Sequence, residues 1–140
     1  MKQIVQKNIK DQAVVIPGSK SISHRMLLCA SLSNGTSNIK NLLQSDDIKC
    51  TIDALKHMGA DIELVKETHY RVAGFGGNPR PCNKDIYLGN SGTSMRLLAG
   101  IAALGNTGYT LTGDKRMCER PMNELLDALT LLGIQAKSKD

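Results

Sequence analysis

Aromatic side chains are scarce: Tyr70, Phe75, Tyr87 and Tyr109 make up 3% of the 140 residues, and tryptophan is missing. So few rings leave little on which to stack bases and no interfacial belt for a bilayer. Long apolar runs are missing too. No stretch approaches the ~18 apolar residues of a spanning helix, and the opening MKQIVQKNIKDQ is too polar for a signal peptide. The expected compartment is the cytoplasm. The cysteines, Cys29, Cys50, Cys82 and Cys118, form no C-x-x-C pair and have no histidine partner at ligand spacing, which argues against a zinc site or a disulfide framework. They read as reduced thiols.

What is present suits one compact domain. Hydrophobic residues make up 41% and charged residues 22% of the chain, the proportions of an ordinary globular core and surface. The formal charge of +5 and pI of about 9.1 favour anionic partners. Charge alone does not choose among phosphorylated metabolites, nucleic acid and acidic membrane. The scarcity of aromatics favours small anions.

Hydrophobic periodicity outlines one unit used almost twice. Ala13–Ile16 reads as a strand running into Pro17-Gly18, followed by a helix over Ser21–Leu32 and a strand over Thr36–Leu43. Ser45, Asp46 and Asp47 supply capping oxygens for a second helix that stops at Gly59, and Asp61–Lys66 and His69–Val72 follow as strands. That makes a βαβαββ unit over about 13–73, with the Gly- and Pro-rich Gly74–Pro81 as connector. The second unit, about 85–140, has a strand over Asp85–Leu88, a turn over Gly89–Gly92, a helix over Thr93–Leu104, a strand over Gly108–Thr112 and a helix over Pro121–Leu132 stopped by Gly133.

Residue identities support a duplication. Arg25-Met26-Leu27-Leu28 matches Arg96-Leu97-Leu98-Ala99 at an offset of 71, and Asp53–Gly59 matches Asp127–Gly133 at an offset of 74. Two matches in the same order, with a three-residue insertion placed in Gly113–Arg120, point to an internal repeat. Only Ile134–Asp140 follows the second match, so the second unit is expected to be truncated and the chain a fragment of a longer protein.

Three segments carry candidate chemistry. Pro17–Arg25 places Ser19, Lys20, Ser21 and Arg25 where a strand feeds a helix, so that free N–H groups, the helix dipole and a guanidinium fork face one point. Gly89-Asn90-Ser91-Gly92-Thr93-Ser94-Met95-Arg96 is the corresponding turn of the second unit; it has neither the lysine of a P-loop nor a dinucleotide fingerprint. Gly113–Pro121 carries Lys115, Arg116 and Arg120 beside Asp114 and Glu119. Each segment also suits a plain role, as a capped helix or a solvated charge run. Together they put cationic loops at equivalent ends of strand–helix elements, where open α/β folds bind ligands.

PGSKSISHR, NLLQSDD, LGNSGTSMR and TGDKRMCERPMNELLDAL, in that order, resemble the signature segments of the 5-enolpyruvylshikimate-3-phosphate synthases, a family of enolpyruvyl transferases. The similarity covers essentially the whole chain. It implies an α/β fold of α+β type, an inside-out barrel lobe of repeated βαβαββ units in which residues 1–12 pack with a second lobe. It also implies transfer of the enolpyruvyl group of phosphoenolpyruvate to the 5-hydroxyl of shikimate 3-phosphate, with release of phosphate through a tetrahedral intermediate.

Position by position, the resemblance puts Lys20 between the substrates as the catalytic candidate, Ser21 and Arg25 on shikimate 3-phosphate, and Gly92 and Arg120 on phosphoenolpyruvate. Asn90, Thr93 and Arg96 support them. The family is the target of glyphosate, whose space a side chain at Gly92 would crowd. Its acid–base carboxylates lie in the second lobe, so this chain alone is expected not to turn over. The parent is expected to be a monomer, and the shortened chain to self-associate. No metal, organic cofactor, nucleic acid or membrane is implied. His24, His57 and His69 are assigned surface or packing roles. The alternatives are the related transferase acting on UDP-N-acetylglucosamine, disfavoured by the intact GNSGTSMR and KRMCERP segments, and a noncatalytic anion- or nucleic-acid-binding module.

Overall fold

Serine hydroxyls set where the three long N-terminal helices begin. A computed structural model of the chain describes residues 2–3, 11 and 13–138. Helix α1 (Lys20–Leu32) starts behind Ser19, α2 (Asp46–His57) behind Ser45 and α3 (Gly92–Ala102) behind Ser91. In each, the serine Oγ accepts a backbone N–H three residues on, at 3.5, 3.4 and 3.3 Å respectively. Such a cap is worth ~1 kcal/mol. After Met58, Gly59 at φ 105° turns the chain out of α2, a conformation that a side chain would penalise.

Strands β1 (Thr36–Ile39), β2 (Asp61–Lys66) and β3 (His69–Ala73) form an antiparallel sheet in the order β1-β3-β2. Ile62 and Val72 are register partners and both are buried, whereas Glu63 pairs with Arg71 among exposed side chains. The sheet therefore has a dry face and a wet one. Helices α1 and α2 contribute Leu27 and Leu55 to the core that also contains Val72, and none of these three side chains has any solvent exposure.

The second half adds β4 (Ile86–Tyr87), α3 and β5 (Leu111–Thr112), with β4 and β5 parallel. A single helical turn, α4 (Lys115–Cys118), and a terminal helix, α5 (Asn123–Leu131), follow. Ile86, Leu88, Leu98 and Ile101 join the same hydrophobic cluster as Leu27 and Leu55, so the two halves share one core. The α/β class of the sequence reading holds. None of the helices described is long and apolar enough to cross a membrane.

The connector between the halves is hydrogen-bonded rather than slack. Phe75 N and Gly76 N donate to Ser31 O and Ser33 O at 2.8 and 2.9 Å, satisfying carbonyls at the C-terminal end of α1. The Tyr109 hydroxyl lies 2.9 Å from both Pro79 O and Arg80 O and ties the connector to the second half.

Several expected elements differ. Ala13–Ile16 is not a strand: it pairs with no strand among the described residues, and Val14, Val15 and Ile16 are exposed, Val15 to 93%. Apolar β-formers do not make a strand without an edge to pair with. β1 ends at Ile39 rather than Leu43, because Asn41 adopts φ 57° and breaks the ladder. The last helix opens at Asn123, not Pro121, and the charge run before it contains α4, whose turn Asp114 caps through Oδ1 on Met117 N at 2.8 Å. The expectation that residues 1–12 pack with a second lobe falls largely on residues outside those described.

Because Leu55 is fully buried and Leu131 is 89% exposed, Leu55→Ala should cost about 2–5 kcal/mol of folding stability and Leu131→Ala within about 0.5. Urea unfolding of the two variants measures the difference, and equal costs would mean the core is misassigned.

Candidate functional site

The first turns of α1, α2 and α3 face one open cavity of about 310 Å³. Lys20, Asp47, Asn90, Gly92, Thr93, Arg96 and Arg120 line it. Lys20 and Asp47 come from the first turns of α1 and α2, Gly92 and Thr93 open α3, Asn90 precedes its cap, and Arg120 follows α4. Helix N-termini present unsatisfied N–H groups and a positive dipole end, so the backbone itself favours an anion here.

The side chains add to that field. Three cations, Lys20, Arg96 and Arg120, share the cavity with a single carboxylate among the described lining residues, Asp47. Lys20 Nζ is ion-paired with Asp47 Oδ2, which holds the flexible lysine at the cavity wall. Arg120 donates from Nη2 to Asn90 Oδ1 at 2.8 Å, and Arg96 from Nη2 to Pro121 O at 3.3 Å. Both arginines are thereby oriented by neutral acceptors that leave their charge uncancelled, and each retains further N–H groups for a ligand.

Gly92 decides how closely the arginines approach. A Cβ at this position would stand 2.5 Å from Arg120 Nη1 and 3.2 Å from Arg96 Nη1. Any side chain there displaces the Arg120 guanidinium from the turn.

Of the residues singled out from sequence, Lys20, Asn90, Gly92, Thr93, Arg96 and Arg120 meet at this cavity. Ser21 and Arg25 do not line it: both are exposed on α1, and Arg25 Nη1 donates to Ser21 O at 3.2 Å. Lys115 and Arg116 are exposed on α4, outside the lining. Asp47, taken from sequence as a helix-capping residue, proves to be a lining group; its place within NLLQSDD was the available signal.

Beneath the cavity lies a buried polar chain that sequence reasoning missed. His24 Nδ1 is 2.9 Å from Thr51 Oγ1, Thr51 Oγ1 is 2.8 Å from Ser94 Oγ, and Ser94 Oγ is 2.6 Å from Ser91 Oγ. His24 has no solvent exposure, and its Nε2 has no hydrogen-bond partner among the described residues. Of the surface and packing roles expected for His24, the packing one holds: its helical position was legible, but not which face α2 would cover. Burial, above all, and the nearby Lys20 and Arg25 charges push its pKa below the ordinary 6.5, against an opposing pull from Asp47. Burial also pushes the Cys50 thiol up, helped by Asp47, Asp53 and Asp46, so it is a poor nucleophile. Among the described residues no group of three or more His, Cys, Asp or Glu side chains is arranged to hold a metal.

Comparison with known proteins gives a consistent picture. The family model described as EPSP synthase (3-phosphoshikimate 1-carboxyvinyltransferase) matches residues 6–140. A 3-phosphoshikimate 1-carboxyvinyltransferase of Shewanella denitrificans is 46% identical over 125 residues, which cover 88% of this chain and 29% of that protein. One from an Enterobacter species is 44% identical over 127 residues, covering 89% and 30%. The solved EPSP synthase from Acinetobacter baumannii superposes with a TM-score of 0.83 at 34% identity, over 87% of this chain and 28% of that one. The chain thus spans less than a third of the length of these relatives.

The lowered pKa of His24 makes folding stability pH-dependent. Below the unfolded value of 6.5 the unfolded chain takes up a proton that the folded chain refuses, so stability is full above that pH and is lost as pH falls toward the lowered folded value. One titrating group can contribute a slope of at most about 1.4 kcal/mol per pH unit in that window. Urea unfolding at about pH 7.5 and about pH 5.5 should show it, and His24→Asn should flatten the difference; an unchanged slope would mean that His24 titrates freely.

Proposed function

This chain belongs to the EPSP synthase family, and from that membership we propose that its cavity is one wall of a site for transferring the enolpyruvyl group of phosphoenolpyruvate to the 5-hydroxyl of shikimate 3-phosphate. Phosphoenolpyruvate lies against Lys20, Gly92 and Arg120, supported by Asn90, Thr93 and Arg96. Shikimate 3-phosphate is held by Lys20, Ser21 and Arg25, the last two just along α1 from the lysine. The observation that carries this reading is the convergence of Lys20, Gly92 and Arg120, from three separate turns of the chain, on one cavity.

The chemistry asks for what the wall offers. Phosphoenolpyruvate brings a carboxylate and a phosphate and its co-substrate brings the same two groups, so strong positive potential is needed to gather them. As the tetrahedral intermediate collapses, charge builds on the departing phosphate. Lys20 and Arg120, already oriented by Asp47 and Asn90, stabilise that charge without a reorganisation cost at the moment of reaction. Gly92 lets the ligand and the Arg120 guanidinium share the space that a Cβ would take.

Among the described lining residues, Asp47 is the sole candidate base, and it is engaged with Lys20. The chain by itself is therefore expected to bind but not to turn over: a mixture with both substrates should release no phosphate above background. Isotope-labelled chain titrated with shikimate 3-phosphate and then phosphoenolpyruvate, at low and moderate salt, should show saturable amide shifts confined to the Lys20–Arg25, Asn90–Arg96 and Arg120 regions. Shifts spread evenly over all basic residues would remove the assigned site, and no shifts in a folded sample would remove ligand binding by this wall alone. Arg120→Ala deletes a charge-assisted contact and should weaken phosphoenolpyruvate binding by roughly 10- to 100-fold. Gly92→Ala should weaken it in the same direction while leaving the unfolding midpoint nearly unchanged, since the colliding atoms belong to a movable side chain.

A further inference from the structure

The buried chain under the cavity follows a regular spacing. Lys20 lines the cavity, and His24 lies one helical turn behind it on α1. Asp47 lines the cavity, and Thr51 lies one turn behind it on α2. Gly92 and Thr93 line the cavity, and Ser94, the next residue of α3, points into the core, fully buried. Residues four apart on a helix share a face, so whatever fixes His24, Thr51 and Ser94 relative to one another also fixes Lys20 and Asp47 one turn ahead and the Gly92 turn directly beside Ser94.

Thr51 is the node. Its Oγ1 has three neighbours at hydrogen-bonding distance: Asp47 O at 3.1 Å, His24 Nδ1 at 2.9 Å and Ser94 Oγ at 2.8 Å. A hydroxyl has one proton and two lone pairs. The backbone carbonyl of Asp47 can only accept, so Thr51 donates to it and accepts from both His24 Nδ1–H and Ser94 Oγ–H. Ser94 in turn accepts from Ser91, whose own Oγ accepts from Ser94 N at 3.3 Å. Every side-chain polar atom of His24, Thr51, Ser94 and Ser91 is then satisfied except His24 Nε2, which has no partner among the described residues and is left as an unprotonated lone pair. The arrangement selects one tautomer of His24 and one proton direction from Ser91 through to α2.

We propose that Thr51 is a positioning residue for the anion site: its hydroxyl locks the first turns of α1, α2 and α3 at one spacing, so that Lys20, Asp47 and the Gly92 turn face a single ligand. The proposal rests on the phosphoenolpyruvate reading of the cavity for its functional consequence. It goes beyond that reading in assigning control of the site's geometry to a group that touches no ligand. A valine at this position has nearly the same shape but neither donates to Asp47 O nor accepts from His24 and Ser94, so it keeps the packing and removes the lock.

The test compares Thr51→Val, Thr51→Ser and, in case the valine variant does not fold, Ser94→Ala, which cuts the link to α3 alone. The ligand-free readouts are amide hydrogen exchange and the nitrogen shifts of the His24 ring. Thr51→Val should speed exchange at Ser23, Ser94 and Met95 well beyond any change at Leu98–Ile101 and should abolish the Nδ1–H tautomer signature. The second readout is phosphoenolpyruvate titration, where Thr51→Val should weaken binding about tenfold and Thr51→Ser should restore it to within about twofold. Ser94→Ala should reproduce the exchange at Met95 and the weakened binding while retaining the His24 signature. A uniform rise in exchange over all of α3, or phosphoenolpyruvate affinity equal to the parent chain's, overturns the proposal. If the parent chain binds no phosphoenolpyruvate, the functional reading falls, and the exchange pattern still decides whether Thr51 sets the spacing.

Discussion

Crowding like charges at one cavity is electrostatically uphill, and the Lys20–Asp47 ion pair is the contact that fixes where one of those charges stands. Three helices open toward the cavity with the positive ends of their dipoles, and Arg96 and Arg120 add full charges. Asp47 answers this from the first turn of α2, where a carboxylate is also favoured by its own helix. The pair is partly exposed, so its contribution to net stability is small. Its value is geometric, because it gives Lys20 a fixed position beside the cavity instead of a free run of rotamers.

The hydroxyls do the remaining work of bringing the helices close. Helix N-termini normally keep apart or stay wet because their N–H groups need acceptors. Here Ser19, Ser45 and Ser91 each satisfy one of those N–H groups locally and leave others for a ligand, and the small buried residues Ser94 and Thr51 let α2 and α3 meet through a hydroxyl–hydroxyl contact. A wholly apolar contact would pack as well but would leave the relative rotation of the helices free to vary. Directional hydrogen bonds remove that freedom.

Below this polar layer the fold is conventional. Leu27, Leu55, Val72, Leu88 and Leu98 fill one core that spans both halves, and the connector, far from being a passive loop, supplies N–H donors to the end of α1 and carbonyl acceptors to Tyr109. The site is therefore mounted on a core whose two halves cannot easily move apart. That rigidity suits a cavity intended to hold charged groups at set distances.

Most of the helices were legible in the sequence because capping serines, glycine stops and the 3.6-residue period are local signals, and Ser19, Ser45, Gly59 and Gly133 stand where those signals put them. The cavity residues were legible as a set through the four ordered segments that carry Lys20, the Gly92 turn and Arg120. Strand pairing was not. Ala13–Ile16 has β-forming residues and no partner among the described residues, and β1 stops at Ile39 because a left-handed residue follows two positions on; both depend on what lies across the ladder. The burial of His24 beside Thr51 and Ser94 also lay beyond the sequence. Its period marks His24 as helical, but only the packing of α1 and α3 against α2 brings together polar groups 27 and 43 residues apart in the chain. Where the helices begin and which charged turns exist follow from a few neighbouring residues each, and so could be read along the chain. The tertiary structure alone decided which turns meet and which polar groups lose water, since both depend on contacts that have no local signature.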